Sequence, residues 1–318
     1  MNIVEIKNLN LGFMTEIGYR PALFDVSLKL KPAQMHALVG ESGCGKSITA
    51  MSILRLLPKN ALIKSGEILF DNKNLLEVSE TEMRKLRGAK IALIPQDPMT
   101  SLNPLYTIGN QITETILCHQ KISKDEAKKR ALEALDSVKI PDAKNRFNLY
   151  PHELSGGMKQ RVVIATSLTL NANVIIADEP TTALDVTIQS QIMSLLDEIK
   201  KDFNTSILII THDLSLIGQY ADDISVMYAG LVVEKAKTKE FFANPSHPYS
   251  IALLNSLPSK DKNNKLYSIK GAPPSIFENL EGCRFYPRCE HCIKNTCNKD
   301  IPTRKEIAPF HDVNCWLY

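Results

Sequence analysis

The sequence predicts an α/β fold with a parallel sheet, and two observations support this prediction. Apolar runs at residues 174–177, 206–210 and 224–228 are too short to be anything but buried strands, and they alternate with helical patterns. Strands and helices that alternate along a chain form parallel sheets. A glycine-rich loop at residues 40–47 also joins a short apolar strand to a helix.

The segments around this sheet have patterns of their own. Residues 3–30 are predicted to form strands, because apolar and polar side chains alternate there as in a half-buried antiparallel strand. Another short strand is expected at residues 67–70. Residues from about 97 to 160 carry helical patterns and are predicted to form an inserted helical subdomain. Residues 236–258 also look helical, and a polar linker at residues 259–265 leads into a loop-rich tail.

The loop after the first apolar strand has the composition of a phosphate-binding site. It reads Gly40-Glu41-Ser42-Gly43-Cys44-Gly45-Lys46-Ser47 and fits G-x-x-x-x-G-K-[ST] at every position. The glycines let amide N–H groups point at phosphate oxygens, and a helix predicted at residues 47–57 adds partial positive charge. We expect ATP here, with Lys46 on its β- and γ-phosphates and Ser47 as a Mg²⁺ ligand. Cys44 lies where a thiolate is favoured, although a tolerated small residue is the simpler interpretation.

Two adjacent carboxylates follow the apolar strand at residues 174–177. In ATPases with a phosphate loop, the carboxylates at such a strand end have different tasks. Asp178 is predicted to hold the Mg²⁺ shell, and Glu179 is predicted to polarise the attacking water.

A further motif, Leu154-Ser155-Gly156-Gly157, narrows the class of ATPase. Together with the phosphate loop, it resembles the signature of the ATPase subunits of ABC transporters, and the resemblance covers roughly residues 1–235. It implies a parallel sheet like that of RecA, an antiparallel β-subdomain and the inserted helical subdomain. It also implies that Ser155 and the amides of Gly156 and Gly157 bind the γ-phosphate of ATP held by an opposite ATPase subunit.

The same resemblance implies more site residues. Gln96 matches the Q-loop glutamine, which approaches the nucleotide and its Mg²⁺. His212 matches the switch histidine that contacts the γ-phosphate, and Asp185 matches the D-loop aspartate in Ala183-Leu184-Asp185. Phe13 falls where the family places an aromatic side chain that stacks on adenine, and Tyr19 is the competing candidate.

Three segments resemble importers of oligopeptides, dipeptides or nickel. They are the Q-loop region at residues 96–104, the continuation of the signature at residues 157–161, and the His-Pro-Tyr segment at residues 244–250. The resemblance therefore implies an ATPase domain at residues 1–235 and an importer extension at residues 236–318. It implies a subunit that hydrolyses ATP to power import of dipeptides or oligopeptides. An importer of nickel or of antimicrobial peptides is the alternative.

Five of the seven cysteines lie in the tail, which suggests a metal. A cytoplasmic chain should not need disulfides, and metal–thiolate bonds can hold a segment that has little core. Zinc and an iron–sulfur cluster both accept four thiolates. The resemblance to peptide importers implies a [4Fe–4S] cluster on Cys283, Cys289, Cys297 and Cys315. Cys292 departs from the family pattern and is either a spare thiol or a replacement for Cys297.

The hydrophobic pattern indicates the location of the chain, and the resemblance indicates its partners. No run reaches the roughly 18 apolar residues of a spanning helix, and no signal peptide is expected. We therefore expect a cytoplasmic chain, and the resemblance implies a peripheral position on the cytoplasmic face of the inner (plasma) membrane. The resemblance implies a second ATPase subunit (a paralogue), two transmembrane permease subunits and an extracytoplasmic substrate-binding protein. A net charge of +3 predicts no nucleic acid partner, and the segment between Gln96 and Leu154 is too short for the coiled coils of DNA-repair members.

Overall fold

The protein is described from a computed structural model, which covers residues 2–182, 184–257, 268–275, 278 and 280–318. The chain forms two compact units. The first unit consists of Met1–Leu76 and Ile210–Tyr318, and the second consists of Glu77–Ile209.

The elements follow one another along the chain. The N-terminal part of the first unit contains β1 (Val4–Thr15), β2 (Gly18–Leu30), β3 (Met35–Val39), α1 (Lys46–Leu54), β4 (Ala61–Phe70) and β5 (Lys73–Asn74). The second unit contains α2 (Glu80–Leu86), β6 (Ile91–Ile94), α3 (Pro98–Ser101), α4 (Ile108–His119), α5 (Lys124–Ser137), α6 (Ala143–Arg146), α7 (Gly156–Leu168), β7 (Val174–Asp178) and α8 (Val186–Asp202). The unit boundary falls inside β8 (Ser206–Thr211). The C-terminal part of the first unit contains α9 (Leu214–Tyr220), β9 (Asp223–Tyr228), β10 (Leu231–Lys237), α10 (Thr238–Ala243), α11 (Pro248–Asn255), β11 (Lys305–Ala308) and β12 (His311–Val313).

An antiparallel sheet in the first unit has the strand order β2-β1-β4-β5. The pairing of β1 with β2 runs from Val4 opposite Leu30 to Thr15 opposite Gly18. Val26, Leu28 and Leu30 are buried, and Ser27 and Lys29 between them are not. The alternation that predicted antiparallel strands over residues 3–30 is therefore confirmed.

The first unit also contains strands in the order β11-β12-β10-β9-β3. β3 and β9 are parallel, and the other pairs are antiparallel. Every residue of β3 and β9 is buried, as expected for strands covered on both faces. Residue 235, the predicted end of the ATPase domain, lies inside β10, and β10 pairs with β12 of the tail.

In the second unit, the strand order is β8-β7-β6, and β6 and β7 are parallel. Short polar side chains start the neighbouring helices. The hydroxyl of Thr107 accepts a hydrogen bond from the amide of Asn110 at the start of α4, and Ser123 accepts one from Glu126 at the start of α5. The predicted parallel strands are confirmed.

Some element bounds differ from the predictions. The helix predicted at residues 47–57 ends at Leu54, because Arg55 takes a left-handed conformation with φ +53°. The strand predicted at residues 67–70 begins at Ala61. The helical segment at residues 236–258 is α10 and α11, because the prolines at 245 and 248 interrupt it. The linker predicted at residues 259–265 lies outside the described residues.

A buried carboxylate ties the C-terminal region to the first unit. Glu234 in β10 is 1% exposed and accepts hydrogen bonds from the amides of Ser246 (2.9 Å) and His247 (2.8 Å). It also lies 2.8 Å from the Nε2 atom of His311 in β12. His247 in turn caps α11, because its Nδ1 atom accepts a hydrogen bond from the amide of Tyr249 at 3.0 Å.

Buried histidines should make the stability of this protein depend on pH. Burial lowers the pKa of His247 and of His36 from 6.5 to about 3. Between pH 6.5 and 3 the unfolded chain therefore binds more protons than the folded chain, and the free energy of unfolding falls as the pH falls. We expect each histidine to lower the free energy of unfolding by about 1.3 kcal/mol between pH 7.5 and 5.5. Urea unfolding at the two pH values measures this loss.

His247→Asn is the matched variant for this prediction. Asparagine keeps a side-chain acceptor for the start of α11 but does not titrate. The variant should lose only the His36 contribution between pH 7.5 and 5.5. An equal loss in the variant and the parent protein would show that His247 does not titrate on unfolding.

Candidate functional site

The phosphate loop lies in the first unit, between the buried strand β3 and α1. Its backbone takes positive φ values at Gly40 (+154°), Gly43 (+77°) and Gly45 (+109°). A Cβ atom on Gly40 would lie 2.1 Å from the carbonyl oxygen of Met227, and one on Gly45 would lie 2.7 Å from Leu23. Glycine is therefore required at both positions, for conformation and for space.

Lys46 points back over this loop. Its side chain is buried, and its Nζ atom donates hydrogen bonds to the carbonyl oxygens of Gly40 (2.8 Å) and Glu41 (2.9 Å). Lys46 is also the first residue of α1, so its ammonium and the helix N-terminus provide positive charge at one place. A glycine loop, a helix N-terminus and a lysine together form an anion site suited to phosphates. Ser47 follows in the first turn of the helix.

The expectation that Cys44 favours a thiolate is corrected by the structure. The residue is 4% exposed, and burial raises the pKa of its thiol. Lys46 nearby opposes this effect, but desolvation is the larger cause. Cys44 is therefore a small buried residue of the loop, in agreement with the simpler interpretation of the sequence.

The strand-end carboxylates lie in the second unit. Asp178 ends β7 and is 4% exposed, and Glu179 follows in a left-handed conformation with φ +46°. The Glu179 Oε2 atom accepts hydrogen bonds from the amide of Gln96 (3.0 Å) and the hydroxyl of Thr182 (2.8 Å). The structure therefore brings the predicted Gln96 and Glu179 together. Thr182 was not predicted, although its place three residues after Glu179 is a simple signal for a hydrogen bond of this kind.

The signature motif starts α7 in the same unit. Ser155 caps the helix, since its hydroxyl accepts a hydrogen bond from the amide of Met158. Ser155 and Gly156 are exposed, so the N-terminal amides of this helix can meet an anion. A Cβ atom on Gly157 would lie 2.8 Å from Ile188 in α8, which explains why glycine is needed there.

The D-loop aspartate and the switch histidine lie beside helix starts. Asp185 caps α8 by accepting a hydrogen bond from the amide of Ile188 at 3.0 Å. Ala183 lies outside the described residues. In the first unit, His212 is exposed and follows β8, and the next residue, Asp213, caps α9.

Phe13 and Tyr19, the two candidates for the aromatic partner of a base, have different surroundings. The ammonium of Lys64 lies over the ring of Tyr19, 3.9 Å from the ring centroid. The hydroxyl end of Tyr19 also packs closely against Gly12. A Cβ atom on Gly12 would lie 2.7 Å from the Tyr19 hydroxyl oxygen. Phe13 is partly exposed near the end of β1, opposite Arg20 and Ala61.

The tail cysteines are neighbours, but they do not form a ready metal site. Burial, and the nearby thiols of Cys297 and Cys315, raise the pKa of Cys283 and of Cys289 to about 11. Within the described ranges, no three or more His, Cys, Asp or Glu side chains are grouped so that they could hold a metal ion. The iron–sulfur cluster and the alternative zinc site predicted on Cys283, Cys289, Cys297 and Cys315 are therefore not supported. Burial holds the pKa of Cys283 and of Cys289 above neutral pH, so binding of a metal would have to displace their protons.

The two units hold different parts of the predicted site. The first unit carries the phosphate loop, Phe13 and His212, and the second carries Gln96, the carboxylates, the signature and Asp185. A phosphate loop after a buried strand, together with adjacent carboxylates at the end of another, defines a nucleoside triphosphatase of the P-loop class.

Comparison with known proteins gives the family within this class. The ABC transporter family matches residues 23–182, and the C-terminal region of oligopeptide/dipeptide transporters matches residues 233–297. The chain belongs to the ATP-hydrolysing, ATP-binding subunits of the ABC transporter family. Among the described residues, no helix is long and apolar enough to cross a membrane.

Relatives resemble the chain over nearly its whole length. It is 46% identical over 317 residues to the dipeptide transport ATP-binding protein DppD of Bacillus subtilis, with 99% of this chain and 94% of the relative covered. It is 44% identical over 301 residues to the oligopeptide transport ATP-binding protein OppD of Salmonella typhimurium, with 94% and 89% covered.

Solved structures resemble the fold. The dimeric structure of MJ0796, a bacterial ABC transporter cassette, matches with a TM-score of 0.66 and 29% identity, over 74% of this chain and 98% of the other. The structure of cbiO1 from Clostridium perfringens matches with a TM-score of 0.67 and 32% identity, over 76% and 91%. The predicted fold of an ABC ATPase is thereby confirmed.

Replacing Phe13 should weaken ATP binding more than replacing Tyr19. Phe13→Ala removes a stacking contact with the base, which is worth about 1–3 kcal/mol. Tyr19→Ala should bind ATP like the parent protein, because its ring already packs against Lys64 and Gly12. Isothermal titration of each purified variant with ATP measures the dissociation constants. Normal binding by Phe13→Ala together with weakened binding by Tyr19→Ala would reverse the assignment.

Proposed function

We propose that this chain is the ATP-hydrolysing subunit that powers import of dipeptides or oligopeptides through an ABC transporter. The main support for this proposal is the match of residues 233–297 to the C-terminal region of oligopeptide/dipeptide transporters. The relatives named for dipeptide and oligopeptide transport add support, because they match this chain over nearly its whole length.

The phosphate loop would bind ATP. Loop amides and the N-terminus of α1 meet the phosphates, and the Lys46 ammonium moves its hydrogen bonds from loop carbonyls to the β- and γ-phosphates. Ser47, Asp178 and Gln96 offer the oxygen ligands that Mg²⁺ prefers. When bound, Mg²⁺ supplies neutralisation of phosphate charge.

Glu179 would act on the attacking water. The donors Gln96 and Thr182 both bond to its Oε2 atom, so the carboxylate plane has a defined orientation. A carboxylate held in this way can accept a proton from water while the water attacks the γ-phosphate. His212 would donate a hydrogen bond to the γ-phosphate and balance the charge that develops there.

A second ATPase subunit would complete each site. Ser155 and the N-terminal amides of α7 are exposed and directed to solvent at a helix start, and they are suited to the γ-phosphate bound by the opposite subunit. In this arrangement ATP closes the sandwich and hydrolysis opens it. Phosphoryl transfer requires mainly positioning and charge stabilisation, and closure would supply both. Asp185 would lie at the same subunit junction.

The second unit also has a groove where a permease would dock. The groove has a volume of about 1190 Å³ and is lined by Pro95 next to Gln96, by Leu102 and Tyr106, and by residues of α4. Leu105 and Met99 nearby are exposed apolar side chains, 79% and 61% accessible. This groove next to the Q-loop, with its mixed polar and apolar lining, would transmit conformational change from the ATP site to two permease subunits. The chain would then work at the cytoplasmic face of the membrane, with an extracytoplasmic binding protein delivering the peptide.

Uptake by cells tests the proposed substrate. Deleting the gene for this chain should abolish uptake of a radiolabelled dipeptide or tetrapeptide, and the parent gene should restore it. Uptake of labelled nickel in the same strains is the contrast. Loss of nickel uptake with intact peptide uptake would contradict the proposal and favour the nickel alternative.

Glu179→Gln should stop turnover while ATP still binds. The amide keeps the size of the side chain but cannot accept the proton, and loss of a general base costs roughly 10²- to 10⁴-fold. Phosphate release by the assembled transporter measures hydrolysis, and size-exclusion chromatography with ATP tests whether the sandwich persists. Lys46→Ala should instead fail to bind ATP.

Glu133→Gln is the matched control for this experiment. It makes the same chemical change at an exposed position of α5 and should hydrolyse ATP at the parent rate. Near-parent hydrolysis by Glu179→Gln would show that Glu179 is not the base.

We also propose that the tail cysteines bind a metal, as an iron–sulfur cluster rather than zinc. The donor chemistry supports this proposal. The thiol of Cys297 lies close enough to contribute to the raised pKa of Cys283, Cys289 and Cys315, and thiolates suit iron. Binding would require the thiols to lose their protons and the segment to adjust around the metal.

Metal analysis after anaerobic purification tests this point. A four-iron cluster gives a brown protein with about four iron and four sulfide per chain. Serine at any of the four proposed ligands should abolish the colour, whereas Cys292→Ser and the control Cys118→Ser should keep it. Stoichiometric zinc would replace the cluster assignment, and protein without iron or zinc would refute the proposed centre.

A further inference from the structure

An arginine of the C-terminal tail contacts the phosphate loop directly. Arg288 lies in a short 3₁₀ turn at Tyr286–Arg288 of the first unit. Its two terminal nitrogens donate to the two carboxylate oxygens of Glu41, at 2.7 Å (Nη1 to Oε2) and 3.0 Å (Nη2 to Oε1). The Arg288 side chain is 5% exposed and that of Glu41 is 24% exposed. This paired geometry is the strong form of an arginine–carboxylate contact.

The guanidinium is itself held in place. Its Nε atom donates to the carbonyl oxygen of Lys270 at 2.9 Å, and Nη1 also donates to the hydroxyl of Tyr228 at 3.2 Å. A guanidinium stays protonated in proteins, so its charge does not depend on these contacts. Arg288 therefore brings a fixed positive charge to this part of the loop.

The main chain of Glu41 is held by the same C-terminal region. Its amide donates a hydrogen bond to the hydroxyl of Tyr249 at 2.9 Å, and Tyr249 is fully buried in α11. The ring of Tyr249 packs against Tyr228 and Phe285, with centroids 4.7 and 5.4 Å away. The Glu41 carbonyl receives the Lys46 ammonium. The carboxylate, amide and carbonyl of Glu41 are thus all engaged, and two of these three contacts come from the C-terminal region.

The charge of Glu41 has a clear consequence for phosphate binding. Its carboxylate belongs to the second residue of the phosphate loop, where an unbalanced negative charge would repel a triphosphate. Arg288 cancels this charge by a contact that water reaches poorly, so the cancellation is screened less than at an open surface. Glu41 neutralised by Arg288 is compatible with an anion site, whereas an unpaired Glu41 carboxylate would weaken it.

We propose that Arg288 is a positioning residue for ATP binding, which neutralises Glu41 and, together with Tyr249, fixes the start of the phosphate loop. The C-terminal region thereby sets the affinity of the loop for nucleotide. The inference rests on the proposed binding of ATP by this loop. It adds that a segment outside the known nucleotide motifs controls that binding through charge and through backbone position.

Nucleotide titration of variants tests the proposal, with the full-length chain and ATP as the probe. Arg288→Met keeps the length of the side chain and removes its charge, and it should raise the Kd for ATP about tenfold. Arg288→Lys keeps the charge but loses the paired geometry, and it should bind with intermediate affinity. Tyr249→Phe removes the acceptor for the Glu41 amide and should raise the Kd a few-fold.

A rescue experiment separates the charge mechanism from general damage to the tail. Adding Glu41→Gln to Arg288→Met removes the uncompensated carboxylate, so the double variant should recover most of the lost affinity. A tail that simply unfolds would not be rescued by a change in the loop. In the assembled transporter, Arg288→Met should raise KM for ATP and leave kcat nearly unchanged, since Arg288 does not touch the reacting atoms.

Arg284→Met is the matched control. Arg284 lies four residues earlier in the same tail and is also buried, but its guanidinium stacks on Phe24 at 4.1 Å. This control should bind ATP with the parent Kd. Parent protein that fails to bind ATP would refute the proposed function itself. Parent-like affinity of Arg288→Met, or a double variant weaker than Arg288→Met, would overturn the inference while the proposed function stands. If Arg288→Met does not fold, Arg288→Gln with and without Glu41→Gln gives the same test.

Discussion

The buried ammonium of Lys46 is the charge on which the architecture of the nucleotide site depends. A lysine that is 5% exposed needs acceptors for its N–H groups, and the carbonyl oxygens of Gly40 and Glu41 provide them. These carbonyls point at the ammonium because the loop follows backbone conformations that Gly43 and Gly45 adopt without strain. The need to surround the buried Lys46 ammonium with carbonyl oxygens thus explains why the loop contains glycines. It also explains why the connection between β3 and α1 is so tight.

The functional side chains of both units follow the ends of strands. Gly40 follows β3, Gln96 comes shortly after β6, Asp178 ends β7 and His212 follows β8. Where the backbone leaves a parallel ladder, amides and side chains become available for a ligand, which is why α/β proteins bind ligands there. Glu179 bears a cost of about 1–3 kcal/mol for its left-handed conformation, a form of strain that is common at functional sites.

The features that the sequence could predict depend on residues close together in the chain. The phosphate loop and the strand-end carboxylates are of this kind, because their geometry follows from local backbone rules. The pKa of Cys44 could not be predicted, since the local helix effect lowers it whereas burial by distant residues raises it. The pairing of Arg288 with Glu41 left no local signal either, because it depends on how the tail folds onto the first unit.

The distance along the chain between Glu41 and Arg288 affects the order in which the protein can be completed during translation. The two residues are 247 positions apart. A ribosome adds about 5–20 residues per second, so the loop is synthesised roughly 12–50 seconds before its arginine. During this interval the Glu41 carboxylate and amide have neither Arg288 nor Tyr249 as partners. A nascent or prematurely terminated chain would therefore carry every nucleotide motif and still lack a finished phosphate loop, so that competence for ATP arrives only near the end of synthesis.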